Sequence, residues 1–160
     1  MPLTGRSRVR SFLPEVINIE ENIIMISREI ADLADEVIKE YKELWWLVRS
    51  NVRIAFLRSS RLKRSKGKLV CGECILVNAN YKWCCPYDFM IIIYGPNTAG
   101  MTKAQLKILL WHELLHIGTR DVNDDGKPIY TVVPHDVEDF RVIIEKYGYD
   151  WAEPFVGVQQ

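Results

Sequence analysis

TKAQLKILLWHELLHIG, residues 102–118, sets both the fold class and the chemistry of this chain. Thr102 and Gln105 stand at capping-box spacing, where the Thr hydroxyl and the Gln amide satisfy backbone N–H groups left unpaired at a helix start. Leu106, Ile108, Leu109, Leu110, Trp111, Leu114, Leu115 and Ile117 leave little polar face, so the stretch predicts a central helix, with Gly118 as its C-terminal stop. Within it stands His112-Glu113-Leu114-Leu115-His116, the pattern H-E-x-x-H. Four residues advance a helix by slightly more than one turn, so both imidazoles project from one face within reach of one ion. Glu113 lies beside the first histidine, placed to take the proton of a water activated by the metal.

The chain holds only three histidines, and the third is His135, with 18 residues between it and His116. A catalytic zinc uses three protein ligands and keeps one position open. The expected cofactor is therefore Zn2+, held by His112, His116 and His135, with Glu113 as general base. Glu138 is the rival to His135, and Asp136 or Asp139 is expected to accept a hydrogen bond from a ligating imidazole. Tyr130, Arg141 and Tyr147 are candidates, by position only, for polarising a substrate carbonyl. The metzincin pattern is excluded, because Thr119 and Val122 stand where it needs Gly and His.

Around this core the chain reads as α+β. A helical period runs from about Ser27 to Val48, through Ile30, Leu33, Val37, Tyr41 and Leu44. Residues 52–57, 68–78 and 87–94 have strand character, the last ending at Gly95-Pro96. About three strands, mainly antiparallel, are expected, together with the N-terminal helix, the central active-site helix and a following ligand-bearing helix from about His135 to Tyr147. Asn123 to Gly126 is a turn, and Ile129 to Val133 a short strand. Residues 1–160 read as one domain, with residues 1–26 an N-terminal arm or helix and residues 149–160 an irregular tail.

Composition excludes several function classes. The 21 basic and 21 acidic residues cancel, so no overall field favours nucleic acid or an anionic membrane. The longest strongly apolar stretch, Phe89 to Tyr94, is too short to cross a bilayer, and no secretory pattern follows the basic start. A cytoplasmic setting is expected, so Cys71, Cys74, Cys84 and Cys85 should be reduced. Their C-x-x-C and adjacent pair make a poor second zinc site, and free thiols in and beside two strands are the simpler reading. Six basic residues between Arg58 and Lys68 are read as a solvated connection, since no aromatic side chain is interleaved to stack bases.

Trp111-His112-Glu113-Leu114-Leu115-His116-Ile117, His135-Asp136-Val137-Glu138-Asp139-Phe140 and Tyr87-Asp88-Phe89 together resemble the phage metallopeptidase family over roughly residues 51–147. The resemblance implies a minimal zincin-like fold, an intracellular phage- or prophage-encoded protein, and a protein or peptide substrate. The layout is also distantly similar to Spartan-type proteases, which act on protein crosslinked to DNA. The function expected is zinc-dependent peptide-bond hydrolysis. The alternatives are a silent zinc-stabilised binding protein and a DNA-associated protease that uses residues 58–68. The intact Glu113 argues against the silent form. The sequence is mute on oligomeric state.

Overall fold

The apolar run from Phe89 to Tyr94 organises the computed structural model, which describes residues 23–136 and 140–148. Its elements are β1 (Ile24–Ile26), α1 (Arg28–Glu40), α2 (Trp45–Arg49), β2 (Ile54–Ser59), β3 (Arg64–Ser65), β4 (Lys68–Leu69), β5 (Gly72–Leu76), β6 (Phe89–Tyr94), α3 (Gly95–Thr98), α4 (Lys103–Leu115), β7 (Ile117–Val122), β8 (Pro128–Val132) and α5 (Arg141–Tyr147). The architecture is mixed α/β: one four-stranded sheet in the order β1-β2-β6-β5 and two small hairpins, β3–β4 and β7–β8. The expected N-terminal arm up to residue 22 and the tail from residue 149 fall outside the described residues.

The pairing is mainly antiparallel, as expected, but the count of about three strands and the direction of the central pair need correction. β1 adds a fourth strand, and the central pair β2–β6 is parallel, Ile54 facing Phe89 and Ser59 facing Tyr94. The cause is topological. β5 takes the outer position and β6 returns between β5 and β2, antiparallel to the first and parallel to the second.

Alternation along the strands then divides the apolar side chains between two faces. Phe56, Phe89, Ile91 and Ile93 join Ile30, Leu33, Val37, Leu110 and Leu114 in the main core, so α1 and α4 cover one face. Ala55, Leu57, Ile92 and Tyr94 form a smaller cluster on the other. α1 is capped by Ser27, whose side chain accepts from the Ile30 N–H. The period from Ser27 to Val48 is not one helix. Tyr41 is extended, and its ring stacks on Trp111 at 3.8 Å between centroids. A short 3-10 turn (Lys42–Leu44) follows, and the chain re-enters the core through Leu44 and Leu47. Ion pairs from Lys103 to Glu36 and from Lys107 to Glu36 and Glu40 lash α4 to α1 along their exposed edges.

The Thr102–Gln105 capping box forms as its spacing predicts. Gly118, however, does not stop the helix. α4 ends at Leu115 with His116 as its cap, and β7 begins at once. α5 begins at Arg141 instead of His135, which lies in the segment after β8.

Asp88 sets the start of the central strand pair. Its carboxylate accepts the Arg53 N–H at 2.9 Å and pairs with the Lys82 ammonium at 2.6 Å. Burial pushes this carboxyl up, but Lys82 and the Arg53 N–H outweigh burial and hold it below the usual aspartate range. A depressed folded value stabilises the fold above the ordinary aspartate pKa of about 4, and that contribution is lost as the pH falls through the lower folded value. Asp88→Asn should therefore cost about 1–3 kcal/mol near neutrality. The stability gap between parent and variant should shrink on acidification below about pH 4, as urea unfolding at a series of pH values would measure.

Candidate metal centre

Helix geometry delivers the first two histidines, and a hairpin delivers the third. His112 and His116 are one turn apart on α4, with their Nε2 atoms 3.3 Å apart. Beyond His116 the chain runs out along β7, turns at Asn123–Lys127, and returns along β8 in the register Ile117–Val132, Gly118–Thr131 and Thr119–Tyr130. Asn123 shapes the turn, its side-chain oxygen accepting from the Asp125 and Lys127 N–H groups, and Gly126 supplies a positive φ of 73°. The returning strand closes on the helix end. Val133 N–H donates to the His116 carbonyl at 2.7 Å, and the Val133 carbonyl accepts from His116 Nδ1 at 2.5 Å. Two residues on, His135 places its Nε2 3.0 Å from that of His112.

A carbonyl oxygen can only accept, so the Val133 bond puts the His116 hydrogen on Nδ1 and leaves Nε2 with its lone pair. The ligand nitrogens of His112, His116 and His135 lie within 4.8 Å of one another. With the His112 Nε2 only 3.0 Å from that of His135 and 3.3 Å from that of His116, one shared cation could take up all three ring nitrogens at once. Burial, followed by the charges of His116 and His135, lowers the His112 pKa, which favours its neutral, ligating form. This donor set fits a metal ion. Among the described residues it is the one such grouping of three or more potential ligands.

Glu113 stands beside the triad but turned inward, only 5% exposed. Burial is the main cause that pushes its carboxyl up to about 7; His116 opposes this and Glu73 adds to it. Among the described residues nothing donates a hydrogen bond to it. Its neighbour is the backbone of β5: a Cβ added at Gly72 would come within 2.9 Å of Glu113 Oε1. The glycine of Cys71-Gly72-Glu73-Cys74 thus makes room for the carboxylate. A glycine inside a strand is a sequence signal of such a close approach.

Gly118 has a parallel role. A Cβ there would meet Val133 Cγ2 at 2.4 Å, so the glycine lets the returning strand lie against the helix end. Glu138 and Asp139 lie outside the described residues, and Asp136 is exposed. The acceptor that orients a triad imidazole is the Val133 carbonyl, a backbone atom that residue types could not reveal. Tyr130 is partly buried and packs edge-on against Phe89, 5.4 Å between ring centroids. Arg141 and Tyr147 are exposed on α5.

The four cysteines are free thiols. Cys71 contacts the Asn97 carbonyl, Cys84 that of Tyr81, and Cys74 packs against the main core with its thiol pushed up to about 12, chiefly by burial. Beside the triad, an apolar cleft of about 580 Å³ opens between α4 and the β4–β5 segment, lined by Leu69, Val70, Met101, Ile108 and Leu109 and ending at His112 and Glu113.

Gly118→Ala should push Val133 outward and disturb both bonds to His116. Loss of such an orienting contact typically weakens metal affinity by about 10–100-fold. Competition titration against a chromogenic chelator would read the loss, and Val133→Ala in the same chain, by freeing the space the methyl needs, should recover most of it.

No curated protein and no solved structure matches the chain. The sequence model of the family described as "Putative phage metallopeptidase" matches residues 23–158, a span that contains the whole histidine triad, Glu113 and the cleft beside them. With most of its length covered, the chain belongs to the phage metallopeptidase family.

Proposed function

We infer that this chain is a zinc-dependent peptidase of the minimal zincin type, and that it hydrolyses peptide bonds in protein or peptide substrates. One observation carries the reading: the Nε2 atoms of three histidines from two separate elements converge beside a buried glutamate whose carboxylate accepts no hydrogen bond among the described residues. An all-imidazole set of three suits zinc. Two nitrogens at about 2.0–2.1 Å from one tetrahedral ion stand about 3.3–3.4 Å apart, close to the 3.0 and 3.3 Å found. The layout supports it as well. β5 is an edge strand alongside α4, and an extended peptide can add to such an edge through its main chain.

When bound, zinc supplies Lewis acidity, which acidifies water and polarises a carbonyl. His112, His116 and His135 hold it as neutral ligands. Glu113 takes the proton of the attacking water on its carboxylate and returns it to the leaving amine as the C–N bond breaks. Gly72 leaves the carboxylate its space, and the close approach of β5 keeps bulk water from its rear. The free thiols fit the cytoplasmic setting proposed for the protein, and no described helix is long and apolar enough to cross a membrane.

Metal analysis of purified protein should find close to one zinc per chain, with His112→Ala, His116→Ala and His135→Ala each losing most of it. Glu113→Gln should retain the metal while peptidase activity falls by about 10²–10⁴-fold. Near-parental turnover in that variant would remove Glu113 from the mechanism. Gly72→Ala should behave like a mild Glu113 variant, with metal retained and turnover reduced, because its methyl displaces the carboxylate and not the imidazoles.

A further inference from the structure

The cleft beside the triad leaves apolar surface in water where a folded chain would ordinarily cover it. Ile108 is 61% exposed and Leu69 49% exposed, on opposite walls of the cleft that ends at Glu113. The wall that carries Leu69 is held firmly. Asn97 Nδ2 donates to the carbonyls of both Lys63 and Val70, at 2.8 and 2.6 Å, and so pins the two roots of the β3–β4 hairpin. Lys63 is tied to Glu73 at 2.5 Å, and Tyr94 also donates to Glu73.

The cations of this hairpin fall into two groups. Lys63 and the preceding Arg58 have carboxylate partners, Glu73 and Glu29. Arg64, Lys66 and Lys68 are exposed and form no ion pair among the described residues. Arg64 is directly opposite Leu69 in the hairpin register, and directly opposed residues share a face. The Arg64 guanidinium donates to the Gly67 carbonyl at 3.4 Å and, with no carboxylate partner among the described residues, stands at the hairpin rim on the face that carries Leu69.

We propose that the site selects its substrate by two features together: an apolar side chain that fills the cleft between Leu69 and Ile108, and a carboxylate beside it that meets Arg64. This rests on the peptidase reading above and names the class of peptide it takes, an apolar residue in an acidic surrounding. The apolar contact supplies most of the affinity. The charge contact supplies discrimination and salt sensitivity, because Arg64 sits at an exposed rim.

The test uses the metal-loaded Glu113→Gln protein, which binds without turning over, and three blocked peptides centred on Glu-Leu-Glu, Glu-Gly-Glu and Gln-Leu-Gln. Fluorescence anisotropy should find the first tightest. The glycine peptide should bind about 10–100-fold more weakly, the range expected for burying a leucine side chain. The glutamine peptide should bind about threefold more weakly at low salt and equally at high salt. Arg64→Glu should reverse the Glu-over-Gln preference and leave Leu-over-Gly intact, while the uncharged Ile108→Asn should remove Leu-over-Gly and leave Glu-over-Gln intact. Both positions are exposed, so neither change threatens the fold.

Equal binding of the three peptides overturns the proposal, as does an Arg64→Glu protein that keeps its preference for Glu. Salt-sensitive binding of a DNA duplex that Arg64→Glu abolishes, without any Glu-over-Gln preference, would assign the hairpin to nucleic acid instead. The peptidase reading stands or falls separately: the parent protein either cleaves the tightest peptide or does not, whatever the preferences are.

Discussion

Val133 meets His116 twice, through its N–H to the histidine carbonyl and through its carbonyl to the ring Nδ1. The rest of the site depends on this pair of hydrogen bonds. It terminates α4, begins the β7–β8 pairing, sets which imidazole nitrogen keeps its lone pair, and brings the chain to where His135, two residues later, reaches His112. A one-residue slip in the hairpin would turn the Val133 carbonyl away and send His135 to the wrong side. The bulge between Thr119 and Asp121 twists the hairpin without disturbing the pairs nearest the helix.

The layer beneath explains why α4 can present chemistry on one side. Leu110 and Leu114 are fully buried against α1 and the central strands, and the stacked Tyr41–Trp111 pair fixes the turn that carries His112. Ile108 and Leu115 face outward. The helix is therefore apolar on nearly every side for two different reasons. One face forms the core and the other borders the cleft.

Much of this was legible in the sequence, and the remainder was hidden for definite causes. The Thr102–Gln105 box, the Phe89–Tyr94 strand and the one-turn spacing of His112 and His116 are local patterns, and local patterns survive folding. The parallel pairing of β2 with β6 depends on β6 entering between two earlier strands, which no window of sequence reports. Glycine commonly stops a helix, yet Gly118 lies beyond the end of α4 and admits Val133 at close range. Pro134 suits a helix start, yet the Val133 bonds to His116 hold this segment beside the end of α4, and His135 lies outside any helix. Gly72 carries a residue-type signal, a glycine within a strand, whereas the Val133 carbonyl carries none, since there a backbone atom does the work.

The spacing of the three imidazoles also has a mechanical meaning. His112 and His116 are set by one turn of a helix that is buried along its other face, and His135 sits just past the last rung of a hydrogen-bonded ladder. Neither support yields easily, so the gap between the nitrogens behaves as a stiff caliper. An ion that prefers oxygen ligands at about 2.3–2.6 Å in a shell of six to eight, as calcium does, could enter only by prying the hairpin from the helix. Selectivity among ions would then come from the rigidity of the backbone as much as from the chemistry of nitrogen donors.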